Sequence, residues 1–439
     1  MLPHPTSLQL SSKLQALKIP TQHAPNHQND TDPSATACLN AWKEETTRVL
    51  EELKDLIHQT EFTRLANTDM AEQVELISVV ARFEEENASW TTPRTKALAV
   101  EIMQVFSEPT IAVVTEVLIR HIKPVFQRNP HPSLNISTGR KLHRQAGGIM
   151  ASQDFYENQD WKDNVGLPTL VSWCVRHIKE TDYSRVWHLV IPPIMTMIDD
   201  YQVPYKLRGV VIVSQLLERV PQDLLKRTGI DGLILKALNN CLGHFDHECS
   251  PSLIRLAINA SLSLIMLATT SGSSARFDQL CALLGDGVIG TIWLYGDRKP
   301  DVIRASIEAL PPLIRVLKVG AARYLKALIP QLVHPLCPSP FGSPNVKLQI
   351  SSLDALATIL EFCSPRINDW KCTILDGAAR CWVFIMEKKW DIDESEREEL
   401  KIRLRTVCGM LAKICPSVVQ VEFESLIQCD HALFHDLLL

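Results

Sequence analysis

Five times in the second half of this chain the same spacing returns, with apolar or small residues at positions 0, 4, 7, 11 and 14 of a window. That spacing marks one face of a helix with about 3.6 residues per turn. The windows are Val203, Leu207, Val210, Ser214, Leu217; Leu253, Ala257, Ala260, Leu264, Leu267; Ile303, Ile307, Leu310, Ile314, Leu317; Val346, Ile350, Leu353, Ala357, Leu360; and Leu400, Leu404, Val407, Leu411, Ile414. Their starts lie 50, 50, 43 and 54 residues apart, which leaves room for one further helix per interval. Apolar segments of helical length at 186–198, 224–242, 277–294, 321–333 and 367–386 fill that room. A helix pair with one apolar face cannot cover it alone, so neighbouring pairs must stack and share a core. The pattern predicts an all-α fold, a HEAT-like α-solenoid of stacked antiparallel helix pairs over 165–439.

Composition agrees with helices, since aromatic residues are only 6% of the chain while 46% is hydrophobic, and glycine is sparse at 17 residues. The prolines, among them Pro192, Pro193, Pro221, Pro251, Pro311, Pro330 and Pro365, read as punctuation between helices. Residues 1–36 are polar and proline-rich and read as a disordered N-terminal tail. Over 37–128, the stripe Leu39, Trp42, Val49, Leu53, Ile57 and helical segments near 74–83 and 96–106 read as N-terminal helical repeats. The stretch 129–164, with Pro130, Pro132, Gly139, Gly147 and Gly148, reads as an irregular loop or insertion.

A formal charge of −5 and a pI near 6.3 give no basic footprint for DNA or RNA. No secretory or transit leader is read at the start, and the apolar runs 186–198 and 256–268 are too short to span a bilayer, so the expectation is a soluble chain with no membrane and no nucleic-acid partner. The 12 cysteines then read as reduced thiols, and the triplets at Asn87, Asn135 and Asn259 as chance glycosylation matches.

Three clusters carry residue types suited to binding chemistry. Gly285, Gly287 and Gly290 match the dinucleotide spacing but lack a strand-helix-strand setting, so they read as a kink or turn between helices. Cys241, His244, His247 and Cys249 are all competent zinc ligands. They lie closer in sequence than the two separated ligand pairs of common sites, so an inter-helix turn is the expectation. His431 and His435 share a face of a terminal helix, which reads as a solvated end. With no zinc-protease, P-loop, nucleophile-elbow or kinase motif, no catalytic residue, cofactor or metal is expected, and the chain is read as no enzyme. Trp161, Trp173, Trp382 and Trp390 are either interface anchors or core. Asp301 with Arg304, and Asp199 and Asp200 ahead of Lys206 and Arg208, are candidates for an acid–base ladder between repeats or for simple helix caps.

The segment from Ile191 through Asp199-Asp200-Tyr201, then Tyr205-Lys206-Leu207-Arg208-Gly209 and 224–231, resembles the Tel-two-interacting protein two family. The run from Asp154 to Trp161-Lys162 resembles that family's entry segment, and the likeness extends over about 150–410. The resemblance implies a scaffold subunit of the TTT co-chaperone complex, in cytoplasm and nucleus, that supports maturation of phosphatidylinositol-kinase-like kinases of the mTOR and ATM type. It implies Tel-two-interacting protein one as direct partner, the Tel-two protein as second subunit, and heat-shock chaperone machinery further off. Asp199, Asp200, Tyr201, Tyr205, Lys206, Leu207, Arg208 and Gly209 are the motif residues, expected to shape the repeat, with the partner-binding face left open. The alternative is an importin- or armadillo-like transport adaptor, or another HEAT-repeat scaffold.

Overall fold

The computed structural model describes residues 5–23, 33–59, 70–85, 88–144, 146, 155–157, 159–337, 344–390 and 392–438. Helices joined by turns make up most of these residues, with one small hairpin, and they divide into two compact units, Met1–Ile234 and Leu235–Leu439.

The first unit begins with α1 (Pro5–Ala16), α2 (Pro33–Gln59) and α3 (Met70–Val80), the last tightening into a 3₁₀ turn at Ala81–Glu84. It continues with α4 (Pro93–Met103), α5 (Ile111–Val117), a wide π turn at Leu118–Ile122, and α6 (Lys123–Phe126). After the hairpin come α7 (Leu167–His177), α8 (Tyr183–Ile198), α9 (Val203–Leu217) and α10 (Gln222–Thr228). The polar composition of 1–36 predicts a tail, yet Leu10, Leu14 and Leu17 repeat the helical spacing and bury against α2 and α3. Of that region, 1–4 and 24–32 lie outside the described residues, as do Gly147 and Gly148 further on.

Two rows of helices organise this unit. In one, α2 packs on α4, α4 and α7 both pack on the 3₁₀ turn, and α7 packs on α9. In the other, α1 leads to α3, α3 to α5, and α6 to α8. Thr92 caps α4 with a reciprocal capping box to Thr95, and Pro93 fits the first turn, where no N–H is missed. The irregular segment after α6 carries β1 (Leu134–Asn135) and β2 (Arg140–Lys141), antiparallel with Asn135 opposite Arg140. The indole N–H of Trp187 donates to the Gly139 carbonyl at 3.1 Å, which pins the hairpin to α8.

Proline placement departs from the sequence expectation. Pro192 and Pro193 sit inside α8, and Pro330 inside a later helix, rather than between helices. An interior proline costs roughly 3 kcal/mol. The burial of nearly every α8 side chain from Val186 to Ile198 offsets it.

The second unit takes over within α11 (Ile230–Cys241), which Gly229 separates from α10 with a left-handed φ of 70°. It then runs through α12 (Ser250–Ala268) and α13 (Ser274–Ala282), the latter prolonged as a π helix at Leu283–Trp293. Next come α14 (Pro300–Glu308), α15 (Leu310–Leu317), α16 (Leu325–Val333), α17 (Val346–Cys363), α18 (Lys371–Met386) and α19 (Glu394–Ile414). Three short helices end it, α20 (Pro416–Val418), α21 (Glu424–Cys429) and α22 (His431–Leu438).

Four of the five repeat windows lie here, on α12, on α14 with α15, on α17 and on α19; the window starting at Val203 is α9 of the first unit. They stack in chain order, α12 on α14, α14 and α15 on α17, and α17 on α19, while α13, α16 and α18 form the accompanying layer. Leu253, Ile307, Leu353 and Leu404, one from each window, are buried in that shared core. The helix holding the run 256–268 begins earlier, at Ser250, so α12 is long and apolar enough to cross a bilayer by length and composition. Here it is a core helix, with Leu253, Ile254, Ala257, Leu264 and Ile265 buried.

Candidate interaction site: a buried ionic corner and an exposed tyrosine pair

Helix α8 ends at Ile198, and the chain turns through Asp199–Gln202 before α9 begins at Val203. Asp200 builds the turn: its Oδ1 accepts the Gln202 backbone N–H at 2.8 Å. Its side chain is fully buried, and the ammonium of Lys162, from the 3₁₀ turn Asp160–Asp163, stands 2.8 Å from Oδ2 and 3.0 Å from Oδ1. Lys206 takes a different partner, donating to the Ile198 carbonyl at 2.9 Å and satisfying the C-terminus of α8.

Aromatic rings enclose the lysine. Its Nζ lies 4.4 Å from the Tyr201 ring centroid and 5.0 Å from that of Tyr205, distances at which a ring face attracts a cation. Tyr205 meets Trp161 edge-to-face at 4.9 Å, and Phe126 stacks on Trp161 at 5.7 Å. Burial raises the Asp200 pKa above its ordinary value, against the hydrogen bond and charge of Lys162 and the Gln202 amide, which lower it.

Three further ties fix the corner. Arg208 forms an ion pair with buried Glu85, which also accepts the Thr169 hydroxyl, so α9 and α7 are tied to the residue after the first 3₁₀ turn. Gly209 lets α9 lie against α8, since a Cβ there would stand 2.5 Å from the Ile198 nitrogen. His131 Nδ1 accepts the Ser133 amide at 3.2 Å, so the imidazole hydrogen is on Nε2, which faces Asp199 Oδ2 at 3.0 Å. Leu207 is half-buried on α9.

Of the motif residues, Tyr201 alone stands well out of the protein, 56% exposed. Tyr156, 38% exposed, meets it edge-to-face with centroids 6.2 Å apart. The corner therefore presents a pair of aromatic rings to solvent on a rigid ionic base. Both lysines of the corner are engaged, Lys162 with Asp200 and Lys206 with the Ile198 carbonyl.

The other candidates fall elsewhere. Cys241 is buried in the core with its thiol on the Ala237 carbonyl, and His247 Nδ1 accepts the Cys249 amide at 3.0 Å. Among the described residues, no group of three or more His, Cys, Asp or Glu side chains is placed to hold a metal ion. Gly285, Gly287 and Gly290 lie within the π helix rather than in a turn between helices, with Gly285 against the Tyr324 ring. The rings of His431 and His435 are neighbours on α22, 5.0 Å apart. Trp161, Trp173, Trp382 and Trp390 are all buried. The acid–base ladder uses other residues than the sequence offered: Arg304 pairs within its own helix, with Asp301 and Glu308. The links between repeats are Arg255 to Glu308 and Arg403 to Asp354, both 2.7 Å.

Lys162, Glu85, His131 and Tyr156 were not singled out for a role in the sequence. Lys162 and Tyr156 lie within the resembling entry segment, but nothing in their spacing points to a partner 38 residues on. Glu85 is hidden in a run of three glutamates.

The sequence profile of the Tti2 family matches residues 76–344, more than half of the chain. This chain belongs to the Tti2 family. The match begins well before residue 150 and ends before 410, so it includes Glu85, His131 and the whole corner but not α19. TELO2-interacting protein 2 of Homo sapiens is 21% identical over 282 residues, 64% of this chain and 51% of that protein. Its namesake in Rattus norvegicus is 22% identical over 209 residues, 48% of this chain and 40% of that protein. That of Mus musculus is 21% identical over 211 residues, with the same coverage as the rat protein. This Tti2-family chain thus spans about half, or less, of the length of the curated relatives it matches.

Proposed function

We propose that this chain is a non-catalytic scaffold subunit of a TTT co-chaperone complex, which supports maturation and stability of phosphatidylinositol-kinase-like kinases in cytoplasm and nucleus. Membership of the Tti2 family is the observation that carries the reading, together with relatives whose names record an interaction with TELO2. Tel-two-interacting protein one is the direct partner, the Tel-two protein the other subunit, and the kinases and heat-shock machinery are reached through them. The contact face in this reading is the Tyr156–Tyr201 pair. Tyrosine brings a large amphipathic surface with few rotatable bonds, and here both rings stand on a base that binding need not order. The transport-adaptor reading gains nothing from the tryptophans, because the four singled out are buried instead of lining a groove.

Affinity capture of the tagged chain from its native cells, with mass spectrometry of what co-purifies, tests the proposal. Recovery of the other two TTT subunits with large kinases is expected. Recovery of transport receptors and cargo in their place overturns the function and leaves the fold standing.

A further inference from the structure

We propose that a cavity of about 550 Å³ in the first unit is a binding site for a small molecule carrying one oxyanion group, a phosphate or a carboxylate. The cavity lies between the chain just after α1, the α3 face, the end of α6 and the 3₁₀ turn at Asp160–Asp163. Its volume is within the range of small-molecule sites, roughly 300–1,000 Å³.

The guanidinium of Arg82 forms part of the wall. Its Nε donates to the Ser78 carbonyl at 2.8 Å, and Nη1 to the Val165 carbonyl at 2.7 Å and to the Asn164 side-chain oxygen. None of these acceptors is charged, so a half-buried cation is held by neutral groups. A cation taken out of water without an opposite charge in contact is costly. Burial lowers the Arg82 pKa to about 10, with Glu75 the carboxylate that opposes the shift. His121, on the same wall, lies 3.5 Å from Glu75. Burial lowers its pKa first of all; Glu75 resists, and Arg82, Arg120 and Lys18 add to the lowering. The positive groups around the imidazole thus outnumber the carboxylate that offsets them.

Lys18 and Arg128 line the same cavity with exposed side chains. An oxyanion placed among Arg82, His121 and these two would give Arg82 a charged partner in contact, which its present acceptors are not, and a guanidinium binds phosphate and carboxylate through paired N–H groups. Asp160 and Asp163 also line the cavity, so its formal charges balance and a polyanion is disfavoured. Leu17, Ile19, Val79 and Val125 provide an apolar wall for the body of the ligand. This proposal is independent of the Tyr156–Tyr201 surface and of the assembly proposed above.

Calorimetric titration of the full chain with inorganic phosphate, AMP and glutamate tests it. Saturable binding of at least one probe is expected, weakened about fivefold or more in Lys18→Gln or Arg128→Gln. Both side chains are exposed, so folding is preserved, whereas Arg82 is left intact because its hydrogen bonds hold the wall together. Response to phosphate and AMP assigns a phosphate ligand, and response to glutamate alone a carboxylate. No saturable binding of any probe up to about 10 mM, below any specific affinity, overturns the proposal. So does binding that neither substitution changes.

Discussion

In the second unit, successive window helices meet through leucine, isoleucine and alanine, and the charges that link repeats, Arg255 to Glu308 and Arg403 to Asp354, stand at the surface. In the first unit, the turn between α8 and α9 is fixed from inside by Lys162 on Asp200, with Arg208 on buried Glu85 beside it. Apolar stacking repeats freely because each interface asks only for matching volume. A buried ion pair is different: it tolerates little change in either partner and fixes one geometry, and here that geometry supports the exposed tyrosines.

The largest effect separating the two regions is expected from Lys162→Met, which strands the Asp200 carboxylate in the interior. A loss of about 3–5 kcal/mol is expected, read from chemical denaturation followed by probes in each unit. A loss below about 1 kcal/mol would show that the corner is not held by this pair. In the apolar stack, Leu353→Ala leaves a cavity between α17 and its neighbours and is expected to cost about 2–5 kcal/mol, borne by the second unit's transition.

Acid sharpens the contrast further. Asp200 has a folded pKa above its ordinary 3.8, so its contribution is fully present below that value and is lost as pH rises through the folded one. Denaturation midpoints of Asp200→Asn, measured across that interval, should lack this part of the decline seen in the unaltered chain. An identical pH dependence in both would remove Asp200 from the account. The smallest effect belongs to Arg403→Ala, whose partly exposed pair with Asp354 is worth no more than about 1 kcal/mol, less in high salt.

The repeat was legible because a period of 3.6 residues survives in any window that buries one face, as Leu400, Leu404, Val407 and Leu411 show. Leu10, Leu14 and Leu17 follow the same rule, but three leucines in a polar stretch are diluted when composition is averaged over 36 residues. The corner was legible as a motif and not as a network. Lys162 reaches Asp200 across an irregular segment, and no local spacing encodes that approach. Arg304 misled for the opposite reason: Asp301 three residues before it and Glu308 four after satisfy it locally, leaving the inter-repeat links to Arg255 and Arg403. Pro192 and Pro193 misled because proline's local cost is visible in sequence while the burial that outweighs it is not.

In the proposed reading the buried corner holds a tyrosine pair out for a partner subunit. Its most direct test is the equilibrium affinity of the chain for the reconstituted pair of the Tel-two protein and Tel-two-interacting protein one, with and without Tyr156→Ala and Tyr201→Ala together. Tight binding by the unaltered chain is expected, with a loss of about tenfold or more in the double variant and thermal unfolding little changed. Equal affinity of the two chains would contradict the assigned face, and no binding by the unaltered chain would contradict the function.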